Sequence, residues 1–336
     1  MEEAGNTAWP GAQQASAPCD CVSVTTSARL HFGFLDPSGR GERPFGSFGL
    51  AIDRPRTSLR LKRAPELAVT GVDCARAEPY LRTIAAKFGK GTGYHLHLEE
   101  AIPAHAGLGS GTQLALAIGA AVAGLEGRPL DLRDIAARLE RGKRSGIGIG
   151  TFGQGGAVLD GGPGKERLPP ILCALPFPRD WRVLLIFDPD ATGLYGEQEI
   201  EAFAELPDFP QSETAELCRR VLLDALPALV EANFRTFCEA IGYMQRCMGA
   251  YFAPLQGGLY ASKAVAEVLD WLARQGISGI GQSSWGPTGF AFCSSQAEVQ
   301  RLLKAAEAIA EGTSLRFEIA QARNRPASIQ RSMQDS

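Results

Sequence analysis

The stretch from Pro103 to Ala121, PAHAGLGSGTQLALAIGAA, constrains this chain more than any other. The alternating segment GYHLHLEEAIP before it reads as a strand ending at Pro103. Gly107, Gly109 and Gly111 follow, then an apolar helix expected from about Thr112 to Leu125 and stopped at Gly127. A glycine-rich turn opening a helix directs backbone N–H groups toward one point, where an anion is favoured. Ser110 and Thr112 add hydroxyls that can reach a phosphate or its metal, and Leu108 and Gln113 complete the run. A plain strand-to-helix turn would need one glycine and a cap. Three glycines, two hydroxyls and Pro103 together favour an anion site. The loop has no Walker lysine and does not fit the dinucleotide fingerprint.

The 336 residues suffice for two cores, and 45% of them are hydrophobic. A formal net charge of −3 argues against a broad nucleic-acid footprint. No apolar run approaches a membrane span. Residues 1–21 read as a polar tail without a signal-type apolar core, and 327–336 as a second tail, so a cytoplasmic protein is expected. The eight cysteines are scattered and match neither a disulfide framework nor a zinc pattern. Strands are expected at Cys21–Asp36, in GSFGLAID, TSLRLKRA, GGAVLDGG and WRVLLIFDP, around ISGIGQSSWGPTGFAFCSS, and in SLRFEIAQA. Helices are expected in EPYLRTIAAKFGK, in DLRDIAARLERGKR with Asp131 as N-cap, from Ser212 to Leu229, from Glu231 to Met248, in SKAVAEVLDWLARQG and in QAEVQRLLKAAEAIAEG. The composition shifts near GPGKERLPP. The reading is α+β, with one domain over 22–175 and another over 176–326.

Three motifs carry a family resemblance. The glycine loop matches P-x-x-x-G-L-G-S-[SG] of the GHMP kinase superfamily. GKRSGIGIGTFGQGG (142–156) resembles its P-S-G-x-D…G-G segment, and GQSSWGPTGFAF (281–292) its late glycine motif. The resemblance implies a two-domain fold, with a ribosomal S5 domain 2-like N-terminal half and a ferredoxin-like C-terminal half. One position departs from the kinases: where they carry the P-S-G-x-D aspartate, this chain has Gly148, which cannot act as a base. Asp160 lies nearby in sequence but reads as part of a different turn. SARLHFGFLD, RSGIGIGTFGQGGAVLDGG and GQSSWGPT are closest to the branch of β-ribofuranosylaminobenzene 5′-phosphate synthases. That branch implies condensation of phosphoribosyl pyrophosphate (PRPP) with 4-aminobenzoate or 4-hydroxybenzoate, releasing CO2 and pyrophosphate, in tetrahydromethanopterin biosynthesis. It also implies Mg2+ and a homodimer. Two alternatives stay open: an ATP-dependent small-molecule kinase, and a non-catalytic metabolite-binding member.

A helix N-terminus contributes only roughly 0.3–1 kcal/mol toward an anion, whereas micromolar affinity requires about 8 kcal/mol. Cations must supply much of the difference. The candidates are Arg29, Lys143 and Arg144, with Arg323 and Arg325 farther off. Arg29 and His31 alternate on the first strand and so share a face; the resemblance places that segment in the site. Ser145 and Gly146 form the turn after the basic helix end. Gln282, Ser283, Ser284, Trp285, Gly286 and Thr288 form the second glycine turn, with Trp285 placed to stack on an aryl acid. Asp188 and Glu197, after a strand end, are weak candidates for Mg2+ contacts. His95 and His97 alternate on a strand and read as a sheet-surface pair, while His105 sits inside the glycine motif.

Overall fold

A computed structural model describes residues 19–38, 40, 43–89, 93–164, 168–193 and 205–333. Its axis is β1 (Cys21–Asp36), whose Val22, Val24, Leu30 and Phe32 are fully buried. Strands β2 (Phe45–Ala64), β3 (Ala68–Gly71), β4 (Gly93–Glu100), β5 (Ala157–Asp160) and β6 (Ile171–Leu175) build the first sheet around it. The two segments GSFGLAID and TSLRLKRA are one 20-residue strand, not two. Within β2, residues 47–50 pair with β5 and residues 58–64 with β4. Pro55 falls in the gap between those partners, where no ladder bond needs its missing N–H.

Helices α1 (Cys74–Phe88), α2 (Ser110–Leu125) and α4 (Ile147–Gly153) pack on this sheet, and α3 (Leu132–Arg138) packs on those helices. From Leu114 to Leu125 every residue of α2 is buried, which explains a helix that is apolar all round. Asp131 caps α3 as expected, its Oδ1 accepting from the N–H groups of Arg133 and Asp134.

The second sheet has the order β10-β7-β9-β8, from β7 (Arg182–Phe187), β8 (Ile280–Gln282), β9 (Gly289–Cys293) and β10 (Arg316–Ala320). All its pairings are antiparallel, which gives the ferredoxin-like half. Its helices are α5 (Gln211–Arg220), continuing through a π-turn at Val221–Ala225 into α6 (Leu226–Val230), then α7 (Phe234–Gln256), α8 (Lys263–Arg274) and α9 (Gln296–Ile309). The halves share one core. Phe32 of β1 lies with its ring 5.7 Å from Phe292 and 5.8 Å from Phe290, in a cluster with Phe177, Trp181 and Phe237.

Both tail boundaries need correction. Ser328–Ser332 form a strand, β11, antiparallel to the start of β1, because β1 would otherwise expose an unpaired edge there. At the other end Cys19 is buried, its thiol directed at the Gly124 carbonyl, and Cys21 already belongs to β1. All eight cysteines are free thiols. Among the described residues no helix is long and apolar enough to cross a membrane.

Candidate active site

The glycine loop and the late glycine turn meet backbone to backbone. Gly107 and Gly109 both have positive φ, 75° and 77°. A Cβ on Gly107 would lie 2.1 Å from the Ser283 carbonyl oxygen, and one on Gly286 would lie 2.3 Å from the Gly107 Cα. Both positions therefore exclude any side chain. The Gly107 carbonyl accepts from Arg29 Nη1 at 2.6 Å and from Ser283 Oγ at 2.7 Å. Leu108 is buried as a plug, and its carbonyl accepts from the Arg29 N–H. Gly109 precedes α2, and no side chain caps that helix. Its first-turn amides therefore have no side-chain acceptor at the N-cap, the arrangement that favours an anion.

Two arginines that the motifs did not signal flank this helix end. Arg76, on α1, donates from Nη1 to Ser110 Oγ at 3.1 Å and is held by the Asp73 carboxylate. Arg141 lies beside Gly111, hydrogen-bonded to the Tyr80 hydroxyl and stacked over that ring at 5.2 Å. Arg76 reaches the loop only by tertiary packing, from 34 residues upstream of Ser110, so no local pattern could reveal it. Lys143, expected here, instead pairs with Glu140 at 3.2 Å with its side chain 64% exposed. Arg144 is half-buried. Arg323 and Arg325 line a separate groove with Arg179 and Asn324. Gln113 is also corrected. It is buried between β1, α2 and α4, accepting from Thr26 Oγ1 and donating to the Gly148 carbonyl at 2.8 Å, and it holds elements together rather than a phosphate.

His31, Ser145 and Asp160 form a second constellation. His31 Nε2 lies 3.2 Å from Ser145 Oγ, which donates to Asp160 Oδ2 at 3.3 Å. Asp160 belongs to the site after all. The antiparallel pairing of β5 with β2 brings it under the Ser145–Gly146 turn, where its carboxylate also accepts from the N–H groups of Ser47, Gly146 and Gly162. Burial pushes its carboxyl up to about 6 despite those donors. Burial, then the nearby Arg29 charge, lowers the His31 imidazole well below its usual range, so it is neutral at neutral pH.

The late turn completes the arrangement. Ser283 Oγ accepts from the His31 N–H at 3.0 Å, and Ser284, with φ 57°, donates its N–H to the His31 carbonyl. Trp285 is buried against Phe252, with ring centroids 4.2 Å apart. Thr288 is buried in the same turn, and the Gln282 side chain is engaged with Gln256 and Ala261. His31, Phe34, Met248, Phe252, Gln282 and Trp285 line a small cavity beside the late turn. Asp188 accepts from Ser262 Oγ at the start of α8, while Glu197 lies outside the described residues. No group of three or more metal-ligating side chains occurs among the described residues. His95 and His97 both contact Thr70 Oγ1 at 3.0 Å on the exposed sheet face, and His105 is exposed.

The GHMP kinases N terminal domain model matches residues 76–156, and the GHMP kinases C terminal model matches 225–311. Beta-ribofuranosylphenol 5′-phosphate synthase of Archaeoglobus fulgidus is 33% identical, across 92% of this chain and 99% of that protein. The chain belongs to the beta-ribofuranosylphenol 5′-phosphate synthase family. The protein of the same name from Methanocaldococcus jannaschii is 30% identical over 80% of this chain and 88% of its own. Solved structures show the same fold. Homoserine kinase from Cytophaga hutchinsonii has a TM-score of 0.68 at 18% identity, and mevalonate-3-kinase from Thermoplasma acidophilum 0.67 at 12%. Each covers 94% of this chain and 99% of its own.

As a member of this synthase family the protein is an enzyme on a GHMP kinase scaffold. Gly148 lies tightly against the Thr112 side chain. A Cβ on Gly148 would sit 2.8 Å from Thr112 Cγ2, because α4 crosses α2 at that point.

Proposed function

We propose that this enzyme joins PRPP to 4-hydroxybenzoate, with 4-aminobenzoate as the alternative aryl acid, and releases CO2 and pyrophosphate. The relatives' name, which specifies a ribofuranosyl phenol, favours the hydroxy acid. The observation carrying this reading is an uncapped helix end ringed by Arg29, Arg76 and Arg141, next to an aromatic-lined cavity, with a tightly packed glycine at 148. Pyrophosphate leaves C1 of the ribose as the carboxylate-bearing ring carbon bonds to it, and loss of CO2 restores aromaticity. That carbon has no proton to remove, so the kinase aspartate has no counterpart task. The site must stabilise the departing anion and align two reactants.

Mg2+ would be held through the phosphates rather than by a protein cage, with Ser110 and Thr112 as the loop hydroxyls that would contribute. It would neutralise charge on the leaving pyrophosphate. We place the reaction in the tetrahydromethanopterin pathway of a cytoplasmic homodimer.

The test is CO2 release from carboxyl-labelled 4-hydroxybenzoate and 4-aminobenzoate with PRPP and Mg2+, beside an ATP control monitored for ADP. PRPP-dependent CO2 supports the synthase. ADP formation without CO2 sinks it in favour of a kinase, and ligand binding without turnover favours a sensor.

A further inference from the structure

The attacking carbon needs no base, yet the site holds a buried imidazole with a supported proton path. His31 is 2% exposed, and its ring lines the cavity. Its Nε2 faces Ser145 Oγ, whereas its Nδ1 is buried without a hydrogen-bond partner. The hydrogen bonds fix which nitrogen carries the proton. Ser145 Oγ accepts from the Ile147 N–H, and its own hydrogen goes to Asp160, an acceptor whenever it is ionised. The remaining contact must be donated by His31 Nε2–H. Nδ1 is then a buried, bare lone pair on a residue that lines the cavity.

We propose that His31 Nδ1 is the base that takes the proton of the arene's para-hydroxyl, and that Asp160, acting through Ser145, is the positioning residue that keeps it a base. This rests on the function proposed above. As the ring carbon bonds to C1 of the ribose, pyrophosphate leaves with the C1–O electron pair. The O–H bond breaks, its proton goes to Nδ1, and its electron pair forms the carbonyl of a neutral cyclohexadienone. When CO2 departs, the C–C pair returns to the ring and the oxygen recovers its proton from Nδ1.

Among the described residues, the charged groups along this path are Asp160 itself and arginines, including Arg144, which precedes Ser145 in the chain. Arg29, on β1, opposes protonation of His31. Arg43 bonds the carbonyls of Gly161 and Gly162 beside Asp160. Helix α7 and the late turn bring Gln245, Met248, Phe252, Gln282, Ser284 and Trp285 to the cavity, none of them charged. Protonating Asp160 releases the Ser145 hydrogen toward Nε2, and the imidazole proton then moves to Nδ1, which ceases to be a base. Activity should therefore fall below pH about 6, where Asp160 titrates.

The experiment measures kcat for 4-hydroxybenzoate at saturating PRPP and Mg2+ from pH 5 to 10. The proteins are wild type, His31→Gln, which retains a polar group toward Ser145 but lacks Nδ1, and Ser145→Ala. At pH 7 His31→Gln should lose about a hundred-fold or more, with KM for PRPP within two-fold. Its rate should climb with pH as the substrate ionises by itself, near the ordinary phenol pKa of about 10. In Ser145→Ala the acid limb near pH 6 should disappear. A His31→Gln profile merely parallel to wild type, or an unchanged acid limb in Ser145→Ala, overturns the proposal. Melting curves identify a variant that does not fold; Ser145→Ala, at a half-buried position, carries the test if His31→Gln fails. Wild type that releases no CO2 at any pH defeats the function itself, a separate outcome.

Discussion

Replacing Gly148 by Ala tests how tightly α4 packs on α2 at that residue. Gly148 is the second residue of α4, so the change alone should stabilise by at most about 1 kcal/mol, the helix-interior value. Here the new methyl would stand 2.8 Å from Thr112 Cγ2 and 3.2 Å from Thr112 Cβ. Thr112 is β-branched and on a helix, so its side chain has little freedom to rotate away. Overpacking of this kind costs about 1–3 kcal/mol, so the net loss should be about 0–3 kcal/mol. In a chain of this size each 1 kcal/mol moves Tm by roughly 1–2 °C. Thr112→Ser removes Cγ2 and leaves only the milder contact at 3.2 Å. In that background Gly148→Ala should cost less or turn stabilising. The assay is a four-protein thermal melt, read as a double-mutant cycle. Equal shifts in both backgrounds would refute the argument that α2 and α4 exclude side chains here.

Other expectations follow from the same geometry. Arg76→Ala and Arg141→Ala should each weaken PRPP about ten-fold or more by titration calorimetry, since hydrogen bonds to charged groups contribute about 1.5–3 kcal/mol; Lys143→Ala should change it less than two-fold. Gln113→Ala should lower Tm while leaving the KM for PRPP unchanged, because that side chain ties Thr26 to Gly148. Trp285→Phe should raise the KM of the aryl acid more than that of PRPP, and equal changes would make Trp285 a packing residue only. A raised folded pKa means that folding favours protonated Asp160. Its contribution to stability therefore improves as pH falls through about 6 toward 3.8, by about 3 kcal/mol in all. Urea unfolding of wild type against Asp160→Asn should show that difference opening between pH 7 and 4, with His31 common to both. Parallel curves would remove the burial argument.

The glycine loop was legible because backbone crowding leaves glycine no substitute: Gly107 and Gly286 had to be small before their contact was known. The contact itself was not, as the two lie 179 residues apart and no local pattern joins them. Asp160 was misread for a related reason. Its place under Ser145 depends on β5 pairing with β2, a register decided by tertiary packing. Lys143 looked suitable because charge near a motif resembles a ligand contact, yet it follows Glu140 by three residues and pairs locally. Gln113 shared the motif's spacing but points to the other side of α2. The two halves of β2 looked separate because Pro55 usually interrupts a strand, and only the change of partner beside it makes room for the ring.

The return of β11 to β1 affects how the chain acquires its shape. Residues 21–25 find their outer neighbours only among residues 328–332, after the whole ferredoxin-like half has been made. On a ribosome the first sheet therefore remains with an open edge until synthesis is nearly complete. Pairing across some 300 residues is slow to find, and an exposed edge invites other chains meanwhile. Expression of the first half by itself would leave that edge permanently bare.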